Sequence, residues 1–356
     1  MCNEACKLAA KRGFRTLKGF VNAVLRNISR SKEQMPLPDP KDTVKYLSIK
    51  YSMPEWIVNL WLPAYGREGT ETLLKGLLSI HPVSLRFSTE LTESERDSLA
   101  EKIEKTGVRL QQSRELPYVY LAQNLENVSE LPGFAEGKFH VQDLSSQLLC
   151  AFVSPQPGER LADVCAAPGG KSFTLAEYME NTGVLDAFDL YKGRVNLIKK
   201  GAERLGLSII HAAVRDAATG VCEKQYDRVL CDVPCSGLGV IRRKPEISSK
   251  KQESFKELPA LQLKILEHSA QLVRPGGILF YSTCTLRNAE NGAVVTEFLK
   301  CHPEFEPYDL RETEGISHTV NEPKFMRTMM PMDHGGDGFF AAAMRRKTET
   351  GKETKR

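Results

Sequence analysis

The sequence has no run of about 18 apolar residues, the length a helix needs to cross a bilayer, and no apolar signal core near its N-terminus. A cytoplasmic protein is therefore expected. Among nine cysteines and seven histidines there is no CxxC and no HxxxH pair, so no metal site is expected. The cysteines lie mostly inside apolar runs and lack the spacing of a small disulfide scaffold, which reads as reduced thiols. Tryptophan is scarce, and Trp56 and Trp61 read as core or interface aromatics rather than base-stacking platforms. Neither sign of charge dominates: 49 basic against 45 acidic residues leave +4, which selects no partner. No internal repeat or low-complexity tract occurs apart from a charged tail, residues 347–356.

What is present divides the 356 residues into successive regions. Phe14, Leu17, Val21, Val24, Leu25 and Ile28 recur at intervals of three and four, the pattern of an amphipathic helix. It should end before Pro36, Pro38 and Pro40, which cannot continue it. Between Met1 and Lys32 stand Lys7, Lys11, Arg12, Arg15, Lys18, Arg26, Arg30 and Lys32, opposed by Glu4 alone. Such a local excess suits a polyanion; a solvated helix face is the plainer alternative. Residues 35–139 read as linker helices followed by a small α+β unit. Residues 140–346 alternate apolar strands (161–164, 184–188, 209–213, 228–231, 278–281) with helical patterns (173–179, 195–205, 258–273), which argues for a doubly wound parallel sheet. A late strand, 338–344, is expected to close its far edge.

Three of these strands run into loops that can carry chemistry. The first meets Asp163-Val164-Cys165-Ala166-Ala167-Pro168-Gly169-Gly170-Lys171, the fourth Asp232-Val233-Pro234-Cys235-Ser236-Gly237, and the fifth Tyr281-Ser282-Thr283-Cys284-Thr285. Ligands bind at the carboxyl ends of parallel strands, so two thiols there are placed for reaction. Ala166 to Gly170 is a small-residue loop that lets a ligand approach the backbone, yet it is neither GxGxxG nor a P-loop. Asp189, Asp216 and Asp232 end successive strands, and carboxylates there suit a ribose and an adenine amino group. An adenosine-bearing cofactor without phosphates fits. Arg242, Arg243 and Lys244 add positive charge beside the crevice, for which phosphates are the natural counterpart.

The loops from Asp163 to Lys171 and from Asp232 to Gly239, with Tyr281-Ser282-Thr283-Cys284 and Asp337-Gly338-Phe339-Phe340, closely resemble the S-adenosylmethionine-dependent RNA cytosine-5 methyltransferases. Gly19 to Arg26 and Tyr51 to Trp56 are similar to the RsmB (Sun, Fmu) branch, which acts on 16S ribosomal RNA. The resemblance implies an α/β, Rossmann-like methyltransferase domain with a mostly parallel seven-stranded sheet (140–346). A small α+β RNA-binding domain (35–139) and a remnant of a NusB-like helical domain (1–34) would precede it.

The resemblance also implies roles. Cytosine C5 is a weak nucleophile until a thiolate adds to C6, and that thiol would be Cys284. Cys235 would assist loss of the C5 proton and release. Asp232 would bond the cytosine N3/N4 edge, and Lys171 would supply positive potential. S-adenosylmethionine would be held by Cys165, Ala166, Ala167, Pro168, Gly169, Gly170, Lys171, Asp189, Asp216 and Asp232. RNA would be held by Lys7, Lys11, Arg12, Arg15, Arg242, Arg243 and Lys244. Arg194 and Arg204 also match family positions. Cys150, Cys222, Cys231 and Cys301 read as inert thiols, and His334 as either crevice lining or turn former. Two alternatives stay open: a transfer-RNA cytosine-5 methyltransferase with the same site, and a non-catalytic RNA-binding assembly factor, which would have no need of the two thiols.

Overall fold

The structure, a computed structural model, describes residues 2–31, 36–79, 82–113, 116–220, 224–310 and 322–348. They fall into two compact units, Met1–Asn59 and Leu60–Arg356. In the first, α1 (Cys2–Lys11) ends at Gly13, whose φ of +89° suits a residue without Cβ. A single 3₁₀ turn, Arg15–Leu17, leads into α2 (Lys18–Ser31), so the predicted helix starts four residues later than its apolar spacing implied. Phe14, Leu17, Phe20, Val24 and Ile28 remain exposed. Asp42 caps α3 (Thr43–Lys50) by accepting the Lys45 amide at 3.3 Å. The next helix, α4 (Glu55–Leu78), departs from helical geometry at Gly66, where φ is 67°.

The second unit holds two sheets. The smaller is antiparallel, in the order β2-β3-β1-β4, built from β1 (Val83–Phe87), β2 (Arg109–Gln112), β3 (Val119–Gln123) and β4 (Phe139–Val141). Helix α5 (Glu93–Glu104), opened by a Thr92/Glu95 capping box, packs on it through Leu99 and Ile103 against Leu85, Phe87 and Phe139. β4 spans the 139/140 boundary expected from the sequence.

The larger sheet begins after α6 (Leu144–Val153). It follows the alternation β5 (Arg160–Asp163), α7 (Gly170–Tyr178), β6 (Val184–Asp189), α8 (Lys192–Arg204), β7 (Ile210–Val214), β8 (Tyr226–Asp232), α9 (Leu258–Ala270) and β9 (Val273–Thr283). Then come α10 (Gly292–Cys301), β10 (Phe305–Pro307), β11 (Met326–Met329), the single-turn α11 (Pro331–His334) and β12 (Phe339–Arg346). The strand order is β10-β12-β9-β8-β5-β6-β7, parallel from β7 to β9 and antiparallel beyond. Chain order reverses between β5 and β8, so a crevice opens at their carboxyl ends, beside Asp163 and Asp232.

Both faces of this sheet are covered. Leu148, Phe173, Leu175 and Ile198 from α6, α7 and α8 fill one side; Ile265, Leu266, Val295 and Phe298 from α9 and α10 fill the other. Double burial explains the continuous apolar runs. It also corrects one expectation: β12 lies one place in from the edge, because its buried Phe339 to Met344 run needs partners on both sides. Its outer side is covered end to end by β11, along Phe339–Ala342, and β10, along Met344–Arg346. β9 starts five residues before the predicted Ile278, since its register against β8 slips between Tyr226↔Val273 and Arg228↔Ile278.

A buried ion pair and a pair of side-chain-to-backbone hydrogen bonds fix the small sheet to the large one. Arg86 of β1 pairs with Glu177 of α7 at 2.7 Å, both almost fully buried. Arg204 of α8 donates to the carbonyls of Phe134 and Phe139 at 2.6 and 3.1 Å. β4 therefore runs directly into the wall of the crevice at Val141 and Gln142.

Candidate active site

The crevice has a volume of about 320 Å³ and draws its lining from the three strand ends. Cys165, Ala166, Ala167, Pro168, Gly170 and Lys171 come from the loop after β5, Asp232 from β8 and Cys284 from the loop after β9, while the buried Asp337 and Phe339 and the exposed Arg243 and Lys244 add to the lining. Gly169 turns away from it. With φ of +115°, it N-caps α7 where a Cβ would stand 2.3 Å from the Phe173 ring, so only glycine closes this turn. At Gly170 a Cβ would meet nothing nearer than Gln142 at 3.7 Å, which leaves an open floor at the N-terminus of α7. Small side chains, helix-terminal N–H groups and nearby carboxylates suit a zwitterionic, cationic nucleoside.

The two thiols meet. Cys235 Sγ lies 3.2 Å from Cys284 Sγ, bringing the loops after β8 and β9 into contact. Hydrogen bonding to Cys284, together with burial, holds the Cys235 thiol well above the ordinary range, so Cys235 keeps its proton. Lys171 Nζ pairs with Asp232 Oδ2 at 2.7 Å, and Ser282 Oγ donates to Asp232 Oδ1 at 2.8 Å. Burial would discharge the lysine, but the Asp232 carboxylate overrides it and keeps the ammonium above its usual range. This ion pair lines the same crevice as Cys284. Asp163 lies beneath, fully buried, bonded by Ser172 Oγ at 2.8 Å and pushed by burial to about 7.

Residues that sequence reasoning missed hold the thiol loops. The fully buried Glu290 accepts the Ser236 amide at 2.8 Å and the Gln262 side chain at 2.9 Å, while Gln262 also donates to the Pro234 carbonyl at 3.0 Å. Asn291 donates to the Thr285 carbonyl at 2.9 Å and accepts from Thr283 Oγ1 at 2.6 Å. Asn288-Ala289-Glu290-Asn291 was the available signal: a polar turn close behind an apolar strand and a cysteine.

Other predicted site residues lie elsewhere. Asp189 and Asp216 end neighbouring strands and do not line the crevice. Asp189 is bound by Arg194 at 3.1 Å, and Arg194 also reaches the Ala167 carbonyl at 2.8 Å, tying the second strand end to the glycine loop. Asp216 accepts the Ala218 amide and the Thr219 hydroxyl, each at 2.8 Å, and these bonds hold its carboxyl below the usual range. Arg242, read as an RNA contact, is instead buried and paired with Asp337 at 2.6 Å, its Nη2 donating to Asp143 at 3.4 Å. Arg243, half exposed, bridges the same two carboxylates. Lys7, Lys11, Arg12 and Arg15 are exposed in the first unit, with Lys7 paired to Glu4. Burial raises the Cys150 and Cys231 thiols to about 12, which makes them inert. Cys222, residues 349–356 and the His334 side chain lie outside the described residues.

Residues 150–345 match the family described as 16S rRNA methyltransferase RsmB/F. The chain belongs to that family. Over 353 residues it is 37% identical to the "Probable ribosomal RNA small subunit methyltransferase B" of Bacillus subtilis, covering 97% of this chain and 77% of that protein. It is 32% identical to the ribosomal RNA small subunit methyltransferase B of Salmonella arizonae, covering 93% and 74%. The crystal structure of PH0851 aligns with a TM-score of 0.81 at 30% identity, covering 96% of this chain and 76% of that one. The chain is thus an S-adenosylmethionine-dependent methyltransferase of Rossmann-like fold. Among the described residues, no helix is long and apolar enough to cross a membrane.

Proposed function

We propose that this enzyme methylates C5 of a cytosine in 16S ribosomal RNA through a covalent bond between Cys284 and C6. The observation that carries the reading is the pair of thiols 3.2 Å apart beside the Lys171–Asp232 pair. S-adenosylmethionine, when bound, supplies an electrophilic methyl group. The loop from Cys165 to Lys171 holds it, with Asp232 in the crevice and Asp189 and Asp216 at the adjoining strand ends outside it as carboxylate acceptors. The open floor at Gly170 supports that assignment.

The Cys284 thiolate adds to C6, and the C5–C6 electron pair moves toward C5 and the ring amide. Asp232 accepts from the cytosine amino group, while the Lys171 ammonium stands where negative charge develops. After C5 is methylated, its proton must leave and the Cys284–C6 bond must break to restore the ring double bond. Once the Cys284 sulfur is bonded to carbon, the hydrogen bond that held the Cys235 proton is gone. Cys235 can then release its own proton to solvent and, as a thiolate, accept the C5 proton; the C5–H electron pair restores the C5–C6 double bond and the Cys284–C6 pair returns to Cys284 as thiolate.

The target base must leave any stack to enter the crevice, which favours free or partly assembled RNA. Lys7, Lys11, Arg12, Arg15, Arg243 and Lys244 hold phosphates in this reading; Arg242 does not. Residues 1–34 and 35–139 bind RNA, and 140–346 act on the base. Cys284→Ala abolishes methylation and gives no covalent RNA complex, whereas Cys235→Ala accumulates one. A denaturing gel with cofactor and small-subunit RNA tests this, and a trapped complex with Cys284→Ala overturns it.

A further inference from the structure

Four charged side chains from three elements converge beside the thiols without being used in the chemistry above. Arg242 lies in the loop past Cys235, Asp337 precedes β12, Asp143 caps α6 by accepting the Ser145 amide at 2.9 Å, and Arg243 closes the outer side. Arg242 and Asp337 are 5% and 2% exposed. A second set of bonds starts where this cluster ends. Gly338, next to Asp337, donates to the Gly239 carbonyl at 2.9 Å, and Gly239 donates to the Cys284 carbonyl at 3.0 Å. A Cβ on Gly239 would stand 2.0 Å from the Gly338 oxygen, so the two backbones are packed at the limit of contact. A continuous path therefore runs from Arg242 through Asp337, Gly338 and Gly239 to Cys284, and returns along the chain to Cys235.

We propose that the buried Arg242–Asp337 pair is a positioning clamp that sets the distance between the two thiols by fixing the loop after β8 against the start of β12. The charges make no contact with either sulfur; they act through backbone. A fork-shaped guanidinium held by a carboxylate fixes orientation as well as distance, which a lysine in its place cannot do. Because Asp337 also accepts from Arg243, whose guanidinium is 46% exposed, the clamp reaches the rim where substrate phosphates would arrive. The inference rests on the two thiols being the reacting groups, but the spacing it concerns can be measured without catalysis.

The test uses dibromobimane, which displaces one bromide with each of two thiolates and bridges them only when they are close. The cross-linked Cys235–Cys284 peptide is quantified by mass spectrometry, and monobromobimane labelling reports the accessibility of each thiol alone. Arg242→Lys and Asp337→Asn should slow bridging at least tenfold, with single-thiol labelling within twofold and the calorimetric Kd for S-adenosylmethionine within threefold of the parent. In the methylation assay kcat should fall by a similar factor while KM for the cofactor holds. Asp337→Glu, which keeps the charge, should recover part of the bridging rate. Unchanged bridging in Arg242→Lys and Asp337→Asn overturns the proposal. So does a loss of bridging in both that is matched by equal loss of cofactor binding and of a cooperative melt, since that means general unfolding. If bridging slows as expected but RNA is never methylated even by the parent protein, the clamp stands and the functional reading fails.

Discussion

Asp163 and His140 are buried titratable groups whose effects on stability oppose each other. Burial lifts the Asp163 carboxyl from 3.8 to about 7, so the native state keeps a proton that the unfolded chain releases. Its stabilising contribution is complete below about pH 4 and is lost as pH rises toward 7. His140 runs the other way: burial, and then Arg86, lower it from 6.5 to about 3. Its contribution is complete above about pH 6.5 and is lost as pH falls toward 3. Asp163→Asn removes the first slope alone, so stability should rise from pH 4 to 6.5 at up to about 1.4 kcal/mol per pH unit. Urea unfolding of the cofactor-free protein at pH 4, 5, 6 and 7 checks this; a slope equal to the parent's rules it out. Neither degree of burial could be read from the sequence, because the layers that cover Asp163 and His140 assemble only in the fold. The same limit explains Arg242. In the chain it is one of three adjacent cations, and the carboxylates that claim it stand 95 and 99 positions away. Cys235 and Cys284 were legible because each lies within three residues of the end of a strand that its own apolar run announces, and Lys171 because it closes the small-residue loop after such a strand.

The loops after β8 and β9 touch through Gly239, and that approach tolerates no side chain. Gly239→Ala would set a methyl group 2.0 Å from the Gly338 oxygen and 2.9 Å from the Cys284 oxygen, and backbone cannot yield as a flexible side chain would. The variant should lose about 3 kcal/mol of stability or more, with nearly all methylation activity. Chemical denaturation of the variant beside Gly193→Ala, a site that, like Gly239, lies outside the left-handed region but has open space around it, isolates the effect of the close approach. Equal losses at both positions would mean that the close approach is unimportant. The core strands of the large sheet were readable from their runs, since strands covered on both faces need no alternation. The place of β12 was not. Strand order depends on pairing between segments far apart, and Phe339 to Met344 has the same composition whether it lies at an edge or one place inside it.

At the scale of the whole chain, its charges fall into two kinds. Arg86–Glu177 and Arg242–Asp337 are buried and resist screening, whereas Lys7, Lys11, Arg12 and Arg15 are exposed in the first unit. Neutralising those four should weaken RNA binding and flatten its salt dependence by up to roughly 0.7 for each phosphate of single-stranded RNA that is no longer held, with cofactor affinity unchanged. Filter binding across a salt series reads the slope, and an unaltered slope makes them a solvated face and nothing more. The position of β12 also bears on how the molecule is made. Thr283 ends β9 and Phe339 begins β12, 56 positions later, so a ribosome adding about 5 to 20 residues per second takes roughly 3 to 11 s to deliver the neighbour. Until then the flank of β9 is an unpaired apolar edge at Ile278 to Tyr281, open to any other nascent strand. Because Asp337 and Gly338 arrive with β12, the thiols acquire their spacing in the same step that shields this edge, so a chain becomes able to react only when it has ceased to be prone to aggregate.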